Sequence, residues 1–288
     1  MARIVILRGM KILSVDIGIR NLALCLLETG QAGEGIQIAR WSVLDLAPPR
    51  ACATCPRPAT VAKGELVACR VCAKKHAPDL LLVTPKMRSA CTPPHDENYL
   101  RKAGCLRDGE KCTQAAVRRF LRERAFLPYK SSPASSIPLP RVAAALGAGI
   151  DAFLERAGRP LDSVAIENQI GPQAIRMKAV QAMVTQHVVT TGLCGAKGIV
   201  YMSAGEKLRA FASSSNKKLT YGQRKQLGIR ACEHVLKCSG ETERLGEFAS
   251  HPKRDDLADA YLQGVAFAVG AGRAVAPPGW GSPDVRIT

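Results

Sequence analysis

Aromatic residues are scarce in this 288-residue chain: two Trp, five Tyr and six Phe, 5% in all. Stacking of bases on aromatic rings therefore cannot carry most of any nucleic-acid binding, and phosphate contacts have to supply the affinity. Acidic residues are also short, 24 against 41 Lys and Arg, which leaves a formal net charge of +17. An excess that large favours a polyanionic partner, either nucleic acid or an anionic membrane surface. Long apolar runs are missing, and none approaches the roughly 18 residues of a membrane-spanning helix. The run Ile4 to Leu7 is too short for a signal-peptide core, and Arg8 and Lys11 break the apolar character of the residues after it. Integral-membrane and secreted classes are thus disfavoured, and an intracellular protein located with its nucleic acid is expected. A disulfide framework is disfavoured too, because the eleven cysteines are odd in number and unevenly placed. With 47% hydrophobic residues the chain can bury a core without staples.

What is present divides into segments. Lys11 to Ile17, Asn21 to Leu27 and Ile36 to Leu44 read as three strands separated by Gly-containing turns, an antiparallel meander. Met10 precedes the first of them, so the first nine residues read as a dispensable extension. From Pro48 the composition shifts to Pro, Cys and basic residues. Arg50 to Lys130 holds 17 basic and 7 acidic residues, more than half of the chain's surplus charge. Residues 131–140, rich in Ser and Pro, read as a linker. Beyond it come a helix over Arg141 to Arg156, a strand at Ser163 to Ile166 and a helix over Gln173 to Val189. A strand at Gly198 to Met202 and helices over Tyr221 to Leu236 and Arg254 to Val269 complete the order. The expected layout is a core over 1–47 and 141–272, an insertion over 48–130 and a tail over 273–288. Three antiparallel strands followed by alternating helix and strand match the ribonuclease H-like α/β plan, a mixed sheet flanked by helices.

Four acids stand where such a fold can use them. Asp16 ends the run Ile12-Leu-Ser-Val15 and Glu167 ends Val164-Ala-Ile166, each at the close of a buried strand. Asp256 and Asp259 are three apart, on one face of a helix, and that spacing favours Asp256 over its neighbour Asp255. Singly, each has an ordinary reading: a turn residue after a strand, or an N-cap and macrodipole partner at a helix start. Converging together, four carboxylates repel unless cations neutralise them. Carboxylates so arranged commonly hold two Mg²⁺ ions about 3.5–4 Å apart for phosphodiester hydrolysis.

The sequence around these acids resembles a known family. Ser14-Val-Asp-Ile-Gly-Ile-Arg-Asn-Leu-Ala23 is similar to the first motif of RuvC-like Holliday-junction resolvases, especially the poxvirus-type and mitochondrial branch. Ile166-Glu-Asn-Gln169 with Arg176-Met-Lys-Ala-Val-Gln181 resembles the second motif, and His251 to Ala260 resembles the last. The resemblance covers roughly residues 11–46 and 140–270. It implies that Asp16, Glu167, Asp256 and Asp259 bind two divalent metals, Mg²⁺ with Mn²⁺ as a substitute. It also implies a homodimer that nicks opposing strands of a four-way DNA junction. The stretch holding Lys207, Lys217, Lys218 and Lys225 resembles the segment in which the family carries active-site lysines. Of these Lys225 is the foremost candidate, with Lys207 behind it. Lys217 and Lys218 fit ordinary phosphate contacts or a solvated face.

The insertion carries its own signal. Cys52-Ala-Thr-Cys55 and Cys69-Arg-Val-Cys72 are two paired knuckles with thirteen residues between them, spacing suited to a ribbon-type tetrahedral Zn²⁺ site. A redox motif is the competing reading, but paired knuckles fit zinc better. His76, Cys91, His95, Cys105 and Cys112 form a looser set of irregular spacing, and Cys25, Cys194, Cys232 and Cys238 read as scattered thiols. A basic zinc module of this kind can grip DNA arms or brace a dimer. The expected function is a metal-dependent, structure-selective endodeoxyribonuclease acting on branched DNA. The alternatives are a RuvC-like nuclease acting on other DNA or on RNA, and a non-catalytic zinc DNA-binding protein. An actin-like kinase reading of Asp16 to Asn21 lacks its second Gly-rich phosphate motif and its adenosine motif.

Overall fold

Continuous apolar runs in the first third give three strands, β1 (Lys11–Asp16), β2 (Leu22–Thr29) and β3 (Ile36–Leu44). β1 and β2 are buried along nearly their whole length, which is why they read as runs and not as an alternation. β3 lies at the sheet edge and alternates buried with exposed over its first four residues. This computed structural model describes residues 9–30, 35–48, 50–129, 133–155, 160–171, 174–211 and 219–285. Lys217 and Lys218 lie outside them. Contacts divide the chain into two units, Met1–Ala47 with Ala134–Thr288, and Pro48–Pro133.

The second unit is assembled from short pieces. β4 (Ala51–Cys52) and β5 (Cys55–Pro58) form a small hairpin. β6 (Val61–Lys63) and β7 (Leu66–Ala68) form another, followed by α1 (Arg70–His76) and β8 (Leu81–Leu82). α2 (Pro85–Ala90), α3 (Glu97–Lys102) and α4 (Gln114–Arg124) come next, and β9 (Ala125–Pro128) returns to pair with β6 and β8. Two small cores result. One gathers Val61, Ala73 and Phe126 with four cysteines; the other gathers Met87, Leu100, Val117 and Phe120 between the helices α2, α3 and α4.

The first unit resumes with α5 (Leu139–Leu154), β10 (Ser163–Glu167), α6 (Ile175–Thr190) and β11 (Ile199–Met202). It closes with α7 (Tyr221–Cys238), α8 (Thr242–Ser250) and α9 (Arg254–Gly270). The sheet runs in the order β11-β10-β1-β2-β3, with β1 to β3 antiparallel and β10 and β11 parallel to β1. This is the ribonuclease H-like α/β fold. Period-two alternation sorts β2 cleanly: Leu22, Leu24 and Leu26 enter the core shared with α5 and α6, and Ala23, Cys25 and Leu27 enter the core shared with α7 to α9. α9 is buried almost all round, and it approaches the sheet closely at Gly264, where a Cβ would lie 2.6 Å from Leu27 Cδ1.

Some expectations shift. Thr242–Ser250 is a helix that the sequence reading passed over. The segment expected to be a linker contains a 3-10 turn at Ala134–Ser136 and a buried Ile137, and α5 begins inside it at Leu139. In the segment expected to be a tail, Pro283–Val285 forms a 3-10 turn, Val285 is buried and Trp280 meets Phe211 edge-on at 5.1 Å. Pro and Gly report on backbone regularity, not on burial. No helix among the described residues is long and apolar enough to cross a membrane.

Candidate functional site

β1 ends on Asp16 and its parallel neighbour β10 ends on Glu167. Val15 pairs with Ile166, so the two carboxylates emerge at the same end of the sheet, beyond the carboxyl ends of the strands. The chain turns sharply after Asp16, and a Cβ on Gly18 would lie 2.3 Å from the Asn21 carbonyl oxygen. Only glycine fits that turn. α9 supplies the other acids from its first two turns. The simple capping role does not apply to them, since Lys253 holds the N-cap position and makes no side-chain cap bond.

Lys207 stands among these acids, brought by the 3-10 turn Glu206–Phe211 that follows β11. Its side chain is 7% exposed, and Nζ lies 3.1 Å from Asp16 Oδ1, 3.2 Å from Glu167 Oε1 and 3.0 Å from Asp259 Oδ2. Burial pulls the ammonium pKa down, but the three carboxylates outweigh it and hold the group above the ordinary lysine value. Burial likewise raises Asp16 and Asp259, and Lys207 draws both part of the way back. Gln169 donates to Glu167 Oε2 at 2.6 Å, leaving Oε1 to Lys207.

Asp256 lines the same cleft, of about 290 Å³, together with Arg224 and Lys225 of α7. Its Oδ2 is buried with no hydrogen-bond partner among the described residues, and burial, then Asp255, raises its pKa. Asp255 is differently employed: it pairs with Lys225, whose Nζ also lies 5.2 Å from the centre of the Tyr221 ring. Burial raises Asp255, but the hydrogen bond from Lys225 overcomes it and lowers the carboxyl. The structure therefore brings Asp16, Glu167 and Asp259 round Lys207, with Asp256 and Lys225 lining the same cleft.

In the second unit, Cys52, Cys55, Cys69 and Cys72 place their sulfurs within 4.8 Å of one another. Cys52 and Cys55 face each other across the β4–β5 turn, and Cys69 caps the N-terminus of α1 by accepting from the Cys72 amide. The second knuckle thus leads into a helix and not into a second ribbon. Cys55 and Cys69 sulfurs lie 3.8 Å apart, which is about the edge of a tetrahedron with Zn–S bonds of about 2.3 Å. Hydrogen bonding to Thr54 brings the Cys52 thiol down to about 5, and the Arg57 guanidinium lowers Cys55. Cys72 stays high: Thr54 pulls it down, but burial and the other sulfurs outweigh that. Thiolates are the form a metal takes.

No family model matches the chain. It is 30% identical over 118 residues to uncharacterized protein L451 of Acanthamoeba polyphaga mimivirus, a match covering 36% of this chain and 28% of that protein. The chain thus spans little more than a quarter of the curated relative it matches. Among solved structures it is similar to Thermus thermophilus RuvC at 13% identity and a TM-score of 0.41, covering 93% of this chain and 99% of that one. The same figures hold for T. thermophilus RuvC in complex with Holliday junction substrate. The yeast mitochondrial Holliday junction resolvase Ydc2 matches at 11% identity and a TM-score of 0.42, over 92% of this chain and 83% of that one.

The carboxylate cleft offers oxygen donors, the kind Mg²⁺ takes. Lys207 Nζ stands among three of the carboxylates, and the acids are less tightly gathered than the four cysteines, whose sulfurs lie within 4.8 Å of one another. The orphaned Asp256 Oδ2 is a donor with no other use among the described residues.

Sequence reasoning missed one contributor altogether. Gln263 lies one turn beyond Asp259 on α9, is 1% exposed, and donates through Nε2 to Ser14 Oγ, Val15 O and Ala165 O at 3.1 to 3.2 Å. It ties the helix bearing Asp256 and Asp259 to the two strands bearing Asp16 and Glu167. A polar residue on the buried stripe of a helix is the signal that could have found it.

Proposed function

We propose that this protein is a metal-dependent, structure-selective endonuclease that resolves four-way DNA junctions by paired nicks. The observation that carries the reading is the meeting of Asp16, Glu167, Asp256 and Asp259 at one cleft in a strongly basic chain. The resemblance of the three motifs directs the substrate towards branched DNA, and with it comes the expectation of a homodimer.

Asp16, Glu167, Asp256 and Asp259 are the residues to hold Mg²⁺, with Mn²⁺ as a substitute. When bound, two such ions supply Lewis acidity and a water nucleophile for in-line displacement at phosphorus. The chain's own residues prepare that site. Gln169 fixes the Glu167 carboxylate, and Gln263 fixes the height of α9 over the strands. Lys207 keeps the acids from repelling one another. Arg224 and Lys225 line the cleft and meet the phosphate backbone, where fixed positive groups favour the developing negative charge. In the second unit, Zn²⁺ held by Cys52, Cys55, Cys69 and Cys72 is structural, stabilising a module too small to rest on its apolar cores alone.

The test is incubation of the protein with labelled four-way junction, linear duplex and single strand, in Mg²⁺ and in EDTA. Paired nicks confined to the junction, dependent on Mg²⁺, with 5′-phosphate and 3′-hydroxyl ends that one ligase step seals, are the expected result. Equal cutting of single strands or RNA transfers the reading to another RuvC-like nuclease. Binding without cutting in any metal leaves a zinc-dependent DNA-binding protein.

A further inference from the structure

Three cysteines of the second unit stand outside the Cys52 set, and the fold gathers them. Cys105 is buried, and Cys91 and Cys112 pack half-buried, on the small core made by α2, α3 and α4. Cys91 is the C-cap residue of α2. Cys105 follows Gly104, whose φ of +70° ends α3 in the left-handed conformation that glycine tolerates. Cys112 directly precedes Thr113, the N-cap of α4. Each cysteine is therefore set at a helix end, and Cys91 lies within electrostatic reach of both Cys112 and Cys105. His95 sits in the loop between α2 and α3, which the Asp96 amide closes by bonding the Ala90 carbonyl at 3.2 Å. Its Nδ1 is buried with no hydrogen-bond partner among the described residues.

We propose that Cys91, His95, Cys105 and Cys112 form a second structural Zn²⁺ site, of the Cys₃His type. The donor chemistry is right, since three thiols and an imidazole are a standard tetrahedral zinc set. The need is also present. α2 and α3 are six residues each, far below the length at which a helix holds by itself. The stretch from 103 to 113 that joins α3 to α4 has no regular structure, and no disulfide fastens it. The ordinary reading, in which cysteines serve as small apolar core residues, accounts for Cys105. It does not account for a buried imidazole nitrogen left without a partner, which costs free energy until something ligates it. The four donors are more widely spaced than the Cys52 set, the one His, Cys, Asp or Glu group among the described residues whose donor atoms lie within 4.8 Å. Ligation has to draw the loops at 91–95 and 103–113 together, and that ordering can be measured.

The decisive measurement is zinc content of the full chain, purified under reducing conditions without chelators. Two zinc ions per chain are expected, falling to one in Cys52→Ser with Cys55→Ser and to one in Cys91→Ser with Cys112→Ser. Titration of the wild-type thiols with a mercurial should release both ions, so the count stands even where a variant fails to fold. Amide exchange over 91–113 should quicken when the more labile ion is chelated. One zinc or fewer in the wild type overturns the proposal. So does an unchanged content in Cys91→Ser with Cys112→Ser. The metal count is independent of whether the protein cuts DNA.

Discussion

Replacing Lys207 by Met removes the ammonium that pairs with Asp16, Glu167 and Asp259 while keeping most of the side-chain volume. The three ion pairs are 3.0 to 3.2 Å long. Each amounts to about 5 kcal/mol of gross Coulomb attraction at an effective dielectric near 20. Burying the ammonium, 7% exposed, offsets much of that sum. Removing one partner of a buried ion pair costs about 3–5 kcal/mol net, because the remaining charge is left uncompensated. In a core of about 150–250 residues that is a fall in Tm of about 6–20 °C. The loss should appear in EDTA and shrink in Mg²⁺, because a divalent cation can take over neutralisation of Asp16, Glu167 and Asp259. The assay is thermal unfolding of wild type and Lys207→Met in EDTA and across a Mg²⁺ titration, with circular dichroism to check the fold. Equal Tm values in EDTA would refute the account of Lys207 as the neutralising charge. An equally large deficit at saturating Mg²⁺ would show that packing, and not charge, is what the lysine contributes.

The remaining expectations concern the acids, the helix clamp and the basic surface. Asp16→Asn, Glu167→Gln, Asp256→Asn and Asp259→Asn should each lower the cleavage rate by about 100-fold or more, since each removes a charge worth several kcal/mol to the reaction. Junction binding, measured by gel shift, should be kept or slightly strengthened; wild-type cutting by Asp256→Asn would overturn the assignment of that residue. Gln263→Met should cost about 1–3 kcal/mol of stability and raise the Mn²⁺ concentration that half-saturates binding in calorimetry; a stability loss with unchanged Mn²⁺ affinity would make Gln263 a core residue only. Arg118 and Arg122 lie one turn apart on α4 and line a groove with Lys63. Arg118→Gln with Arg122→Gln should lower the slope of log affinity against log salt by about two. An unchanged slope assigns the DNA surface elsewhere.

Much of this was legible in the chain itself. The apolar runs at 11–17 and 163–166 show where two strands lie, because strand burial is written in consecutive residues. The CxxC spacings announce a thiolate cluster for the same reason: ligands close in sequence need only a turn to meet. Asp256 and Asp259 share a helix face by periodicity alone. Tertiary structure decided the rest. Lys207 and Asp16 are 191 positions apart, and no local pattern says that a lysine after β11, and not Lys225 on α7, will sit among the acids. Spacing favours Asp256 over Asp255, but it does not say that the packing of α9 against α7 pairs Asp255 with Lys225 and leaves Asp256 Oδ2 in the cleft with no partner among the described residues. Gln263 gains its meaning only when Gly264 lets the helix settle onto β1 and β2. Sequence records which residues can form an element and which side of it is apolar. Which side chains then meet depends on how elements from distant parts of the chain dock, and that is fixed by the complementarity of whole surfaces.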